Sequence, residues 1–191
     1  MKLLFHSCCA PCSIQCVEAL AADKFSLELF WFNPNIHPYT EYRSRLDSLR
    51  DFAKQKNLPC IIEGDYGLRM FLQGNGEWGI GSDELEKVSG SKRCEFCYRL
   101  RLEKAASYAV AQGYEAFSTT LLISPYQDHE LIKRTGEEMA ALYGIDFFYR
   151  DFRPLFRDGQ NMARSAGYYM QKYCGCVFSE EERYLAGKGR L

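Results

Sequence analysis

The sequence predicts a single α/β domain: a mostly parallel sheet with helices on both faces. Three observations carry that prediction. Short apolar runs at 3–5, 25–32, 58–63, 115–122 and 145–150 alternate with helix-spaced segments at 13–22, 40–56, 97–112 and 130–143. Such alternation is the signature of right-handed crossovers between parallel strands. The segments after the strands are polar or rich in Pro, Asn and Ser, and open α/β sheets place their ligands at those strand ends. Finally, 191 residues that are 47% apolar and 26% charged suffice for one core and exclude a disordered chain.

Residues 3–5 read as a buried strand that runs straight into Cys8-Cys9-Ala10-Pro11-Cys12-Ser13. Pro11 suits the first turn of a helix, where its missing N–H is not needed, and Ser13 offers a capping hydroxyl. The helix over 13–22 takes Cys16 into its apolar spacing, so Cys16 reads as core packing. Phe25 to Phe32 is aromatic-rich and reads as a strand buried on both faces. Asn33-Pro34-Asn35-Ile36-His37-Pro38 then forces an ordered loop at its end.

Thr40 is the expected N-cap of the helix over 40–56, whose buried stripe is Tyr42, Leu46, Leu49, Phe52 and Ala53. Arg43, Arg45 and Arg50 are expected on its solvated face. Cys60 alternates with core positions in the third strand. Over 68–91 the pattern weakens to a short helix, a glycine-rich loop matching no phosphate-binding fingerprint, and a helical scrap. It reads as a mobile or substrate-facing insertion. A further helix is expected over 160–173, completing a domain over residues 1–178, with a polar, fraying tail over 179–191.

The nine cysteines fall at 8, 9, 12, 16, 60, 94, 97, 174 and 176. Their odd number, and a start that matches no export signal, predict a cytoplasmic chain with no membrane segment. There, cysteine clusters serve metal or redox chemistry more often than structural disulfides. Cys94 and Cys97 form a C-x-x-C pair expected to open a helix, where free N–H groups and Lys92, Arg93 and Arg99 favour thiolates. Cys174-Gly175-Cys176 is too tight for a relaxed disulfide, which suits transient redox work.

Together, Cys8/Cys9, Cys94/Cys97 and Cys174/Cys176 point to metal or redox function. Zinc wants a closed tetrahedron, usually from two C-x₂₋₄-C knuckles, whereas a [4Fe–4S] cluster tolerates more varied spacing. The adjacent pair and the C-x-C favour iron–sulfur. A zinc-stabilised RNA-binding module and a thiol–disulfide oxidoreductase on Cys94/Cys97 stand as alternatives. A net charge of −1 gives no overall nucleic-acid footprint but permits a local basic patch.

HSCCAPCS (6–13), NPNIHP with EYR (33–43), RCEFCYRLRL (93–102), STTLLISPYQDHELI (118–132) and QKYCGC (171–176) recur here in one order and spacing. In these the chain resembles the QueH family of epoxyqueuosine reductases, enzymes of tRNA queuosine synthesis, over nearly its full length. The resemblance implies a fold of the adenine-nucleotide-hydrolase type without its phosphate loop. It implies a [4Fe–4S] cluster held by Cys8, Cys9, Cys94 and Cys97, with Cys174 and Cys176 as a redox-active pair or as ligands of an additional iron ion. Cys12, which shares the opening turn, is a secondary candidate, close enough to matter if that second iron is present.

The reaction so implied reduces the epoxide of epoxyqueuosine, at the tRNA wobble position, to a cyclopentene with release of water. It takes two electrons, two protons and a low-potential electron donor or reductase as partner. His6, Asn35, His37, Tyr126, Asp128 and His129, near strand ends, are the candidate substrate or proton contacts. Lys92, Arg93, Arg99 and Arg101 are the candidate tRNA phosphate contacts.

Overall fold

The computed structural model describes residues 1–77 and 90–185. Five strands run in chain order: β1 (Lys2–His6), β2 (Ser26–Trp31), β3 (Cys60–Ile62), β4 (Ala116–Thr119) and β5 (Asp146–Phe147). They pair as β3-β2-β1-β4-β5, all parallel. The helices are α1 (Ala10–Ala22), α2 (Tyr39–Gln55), α3 (Leu68–Glu77), α4 (Gly90–Ala111), α5 (His129–Tyr143), α6 (Phe156–Ser165) and α7 (Val177–Leu185). The α/β prediction holds. Helices α1, α2 and α6 pack together, and α4 packs with α5.

β1 is central, and Leu3, Leu4 and Phe5 are fully buried because neighbours flank it on both edges and helices cover both faces. The strand order reverses between β1 and β4, so a crevice opens above their C-terminal ends. His6 stands opposite Thr119 across that seam. The Cys8-Cys9 turn follows directly on one side, and Thr120 on the other.

Several elements differ from expectation, each for a local reason. β4 stops at Thr119 because its hydroxyl accepts the Leu121 N–H and turns the chain into a short 3₁₀ segment over Thr120–Ile123. The helix expected over 160–173 is displaced: α6 runs over Phe156–Ser165 and ends at Gly167 (φ +73°). The Gly167 and Tyr168 N–H groups close back onto Arg164 and Ala163 carbonyls there. Residues 168–176 therefore form no helix. The expected tail contains α7 instead, through Leu185. Helix α2 starts at Tyr39, so Thr40 lies inside it and Pro38 precedes it. The segment expected as a short helix extends to Glu77, while 78–89, with most of the glycine-rich loop, and 186–191 lie outside the described residues.

Helix α6 reaches the crevice because Gly159 lets its backbone approach α1. A Cβ there would sit 3.3 Å from the Pro11 carbonyl oxygen. That contact brings the α6 side chains up beside the cysteine turn.

Candidate active site

The β1–α1 turn is built from strand-end hydrogen bonds. His6 Nδ1 lies 2.9 Å from Thr119 Oγ1 and Nε2 lies 3.2 Å from the Phe32 carbonyl oxygen. Only a proton on Nε2 satisfies the carbonyl, so Nδ1 accepts from the threonine hydroxyl. Burial, and then Arg101, pull the His6 pKa down to about 4. His6 thus ties three strand ends and is neutral at pH 7. The Cys8 N–H donates to Thr120 Oγ1 at 3.2 Å.

Cys9 is the extended N-cap of α1, with no side-chain hydrogen bond to the helix. Cys12 follows one turn later, and the i, i+3 spacing puts both sulfurs on one side. Ser13 is not the cap: it lies inside α1 and donates back to the Cys9 carbonyl oxygen at 2.8 Å. Cys8, Cys9 and Cys12 present sulfurs all within 4.8 Å of one another. Hydrogen bonds from Cys12 and Cys9 hold the Cys8 pKa well below the usual thiol range, aided by Thr120 and Arg45. Burial raises Cys9, and contact with Cys8 and Cys9 raises Cys12. The turn therefore favours one thiolate supported by two thiols.

The other four cysteines of interest meet elsewhere. Cys94, Cys97, Cys174 and Cys176 line a cavity of about 300 Å³ with Tyr98, Gln127 and Phe178. A larger cavity of about 770 Å³ is lined by Cys8, Cys12 and Cys174 together with Arg45, Arg101 and Thr120. Cys174 thus belongs to both. Its sulfur accepts from Gln127 Nε2 at 3.2 Å, while the Gln127 carbonyl oxygen accepts from the Tyr98 hydroxyl at 2.7 Å. Cys176 immediately precedes α7, and its sulfur accepts the Ser179 N–H at 3.4 Å. All nine cysteines are free.

The thiolate bias expected at the C-x-x-C is absent. Helix α4 starts at Gly90, so Cys94 and Cys97 sit a full turn inside it, away from its free N–H groups. Burial pushes Cys94 up to about 11, with Cys174 and Cys176 adding to it, and raises Cys97 as well. The low-pKa thiol is at Cys8 instead.

Arg45 and Arg101 were expected at the surface, one on a solvated face and one on phosphate. Both are buried, at 1% and 2% exposure. Arg45 pairs with Glu41 at 2.6 Å and donates to the carbonyl oxygens of Cys174 (2.9 Å) and Tyr173 (2.8 Å). Its helix face is covered by the 173–175 segment, which no periodicity in α2 reveals. Arg101 Nε donates to the Cys97 carbonyl oxygen at 3.0 Å, while Nη2 is buried without a partner. A buried guanidinium facing no carboxylate among the described residues calls for another anion. The titratable groups that act on Arg101 most are the thiols of Cys97, Cys174 and Cys8. An anionic, thiolate-ligated metal group between the two cysteine sets fits that demand.

The remaining predicted contacts separate clearly. Tyr126 stands on the rim of both cavities at 84% exposure. Asp128 lines the smaller one, but its carboxylate caps α5 by accepting the Leu131 N–H at 3.0 Å. His129 is buried with Nε2 3.0 Å from the Tyr149 hydroxyl and lines neither cavity. Asn35 and His37 are buried with unpartnered side-chain nitrogens, and the His37 ring packs against Tyr66 and Phe71. Arg93 pairs with Glu182 and Arg99 with Glu138, whereas Lys92 is exposed. Cys12 was under-rated: Cys9-Ala-Pro-Cys12 is itself a C-x-x-C across a helix start, and that spacing could have flagged it.

A family model described as epoxyqueuosine reductase QueH matches residues 3–182. The chain belongs to the QueH family. Proteins named epoxyqueuosine reductase QueH from Dehalococcoides mccartyi, Thermotoga maritima and Acinetobacter baylyi are 35%, 34% and 36% identical to it. These matches cover 96%, 95% and 99% of this chain and 94%, 91% and 86% of the respective relatives. For this QueH family member, the match spans every cysteine discussed above. No described helix is long and apolar enough to cross a membrane.

Proposed function

We propose that the protein is an epoxyqueuosine reductase, acting on tRNA that carries epoxyqueuosine at the wobble position. Family membership supports the reaction, and one observation supports this site. The β1/β4 crevice holds a cavity of about 770 Å³ floored by Cys8 and Cys12 and walled by Cys174 and Arg101. That volume suits one extruded, modified base.

The proposed cluster ligands are Cys8, Cys9, Cys94 and Cys97. Cys12, Cys174 and Cys176 are the thiols left for an additional iron or a redox pair. When bound, the cluster supplies one-electron transfer beside the substrate. The chain's own groups do the rest. Arg101 holds anionic charge in place at the cavity wall. Cys174, solvent-exposed at the wall shared by both cavities, presents its Sγ to the space the substrate would fill. Gln127, itself held by the Tyr98 hydroxyl, donates to that sulfur and fixes it.

The compact Cys8/Cys9/Cys12 triad also suits a single metal ion, which keeps the zinc-stabilised RNA-binding module as a second reading. Cys97 is buried, which does not fit thiol–disulfide exchange with a protein partner. The test is anaerobic reconstitution with iron and sulfide, then incubation with epoxyqueuosine-bearing tRNA and a low-potential one-electron donor. Mass spectrometry of the digested tRNA should show loss of one oxygen from the modified nucleoside, and Cys8→Ser should abolish it. Conversion by a colourless, zinc-only protein would sink the iron assignment, and no conversion by iron-loaded wild type would sink the reductase.

A further inference from the structure

The mouth of the larger cavity is strongly cationic in a chain whose net charge is −1. Among its described lining residues there is no carboxylate, yet it includes Arg157 and Arg164 of α6, Lys172 of the following segment and Arg183 of α7. All four are exposed. None has a carboxylate partner among the described residues, and there the Arg164 guanidinium meets only the Asn161 amide oxygen, at 3.1 Å. The helix α4 cations Arg93 and Arg99, by contrast, are engaged by Glu182 and Glu138. Four like charges gathered from three elements repel one another until an anion meets them. Tyr126 adds a bare aromatic ring at the same rim, set edge-on against Phe156 at 5.9 Å.

We propose that this rim seats the sugar–phosphate backbone of a single-stranded RNA loop: Arg157, Arg164, Lys172 and Arg183 take phosphates, and Tyr126 stacks on a base beside the one in the cavity. The inference rests on the reductase reading for the identity of the loop, that of an anticodon. Unpaired cations around a base-sized hole, with an exposed aromatic ring, are what single-strand recognition requires. The tRNA-contact surface thereby moves from the start of α4 to α6, residue 172 and α7.

The test uses reconstituted full-chain protein and an epoxyqueuosine-bearing tRNA, with binding followed by fluorescence anisotropy across a potassium chloride series. Each of Arg157→Glu, Arg164→Glu, Lys172→Glu and Arg183→Glu should weaken binding about tenfold, the combined variant far more, with the loss appearing in KM. The matching Gln variants should each lower the slope of log K against log salt by about 0.7 to 1. Tyr126→Ala should raise KM about tenfold, and Tyr126→Phe should restore it, since stacking needs the ring and not the hydroxyl. Arg50→Glu on the outer face of α2, paired with Asp47, serves as the control.

Wild-type affinity and salt slope in the rim variants overturn the proposal, as does an equal loss in Arg50→Glu. Binding through the rim without reduction of the epoxide would support the rim and overturn the reductase. Reduction unaffected by rim changes would do the reverse.

Discussion

The β1–α1 turn and the 173–176 segment each deliver thiols at the threshold of a helix, yet they are held by opposite means. Cys8 and Cys9 follow a strand buried on both sides; Thr119 of the neighbouring strand pairs in register with His6, and Thr120, next in the chain, binds the Cys8 N–H and sulfur. Tyr173 to Gly175 belong to no regular element. The segment is tied down by Arg45, which lies 129 positions away from Cys174, by the His37 N–H donating to the Gly175 carbonyl at 2.7 Å, and by the Tyr173 hydroxyl donating to the His37 carbonyl at 2.6 Å. One thiol set is a consequence of the sheet. The other is a strap held by residues distant in the chain, the buried Arg45–Glu41 pair foremost among them.

That contrast breaks first at Arg45. Arg45→Ala removes both carbonyl contacts and leaves Glu41 buried without its cation, so unfolding stability should fall by about 3–5 kcal/mol. Amide exchange should accelerate over 171–176 in particular, while the amides of β1 exchange no earlier than global unfolding. Equal acceleration in both regions would refute the distinction. Arg45→Lys keeps the charge but loses the fork that reaches two carbonyls, and should recover only part of the loss.

Gly175→Ala sharpens the same point. Gly175 sits at φ +132°, and a Cβ would meet Arg45 Nη1 and Ile36 Cγ1 at 3.2 Å. The cost should be about 1–3 kcal/mol, read as faster proteolysis at the strap and reduced activity, with the reactivity of Cys8 unchanged.

Acid should weaken both regions through histidine. Burial pulls His6 and His37 to about 4 and lowers His129 too. Unfolded imidazoles titrate near pH ~6.5, so between there and about 4 the unfolded chain binds more protons than the folded one. Stability is complete above that window and declines as pH falls through it. Thermal unfolding should shift down by several degrees, and His37→Gln should flatten the profile without removing it, because His6 and His129 remain.

The smallest effect is expected at Cys16, which lies fully buried in the core on α1. Cys16→Ala should cost about 1 kcal/mol and leave iron content and activity intact. A loss of iron would place Cys16 among the ligands and blur the boundary of the turn.

Much of this molecule was legible in its residues. Alternating apolar runs carry the parallel sheet because buried strands and amphipathic helices leave local periodicities, and the Cys8-Cys9 turn lies beside a sheet edge that follows from connectivity alone. Gly144 stops α5 at φ +66°, a conformation its residue type signals, whereas Asp128, expected as a substrate or proton contact, caps the start of that helix. The motif order by itself placed the chain in its family.

Only the tertiary structure decided which charges are buried and which thiols meet. Arg45 and Arg101 look like ordinary helix-face cations, and they are buried because distant segments fold over them. Cys174 reaches both cavities because the segment that follows the early end of α6 is laid across Arg45. The cationic rim comes from α6, residue 172 and α7, which approach one another in space through Gly159 packing on α1 and the strap anchored by Arg45. Periodicity reports what a residue does within its own element. It carries no information on what another element, a hundred residues away, will lay across it.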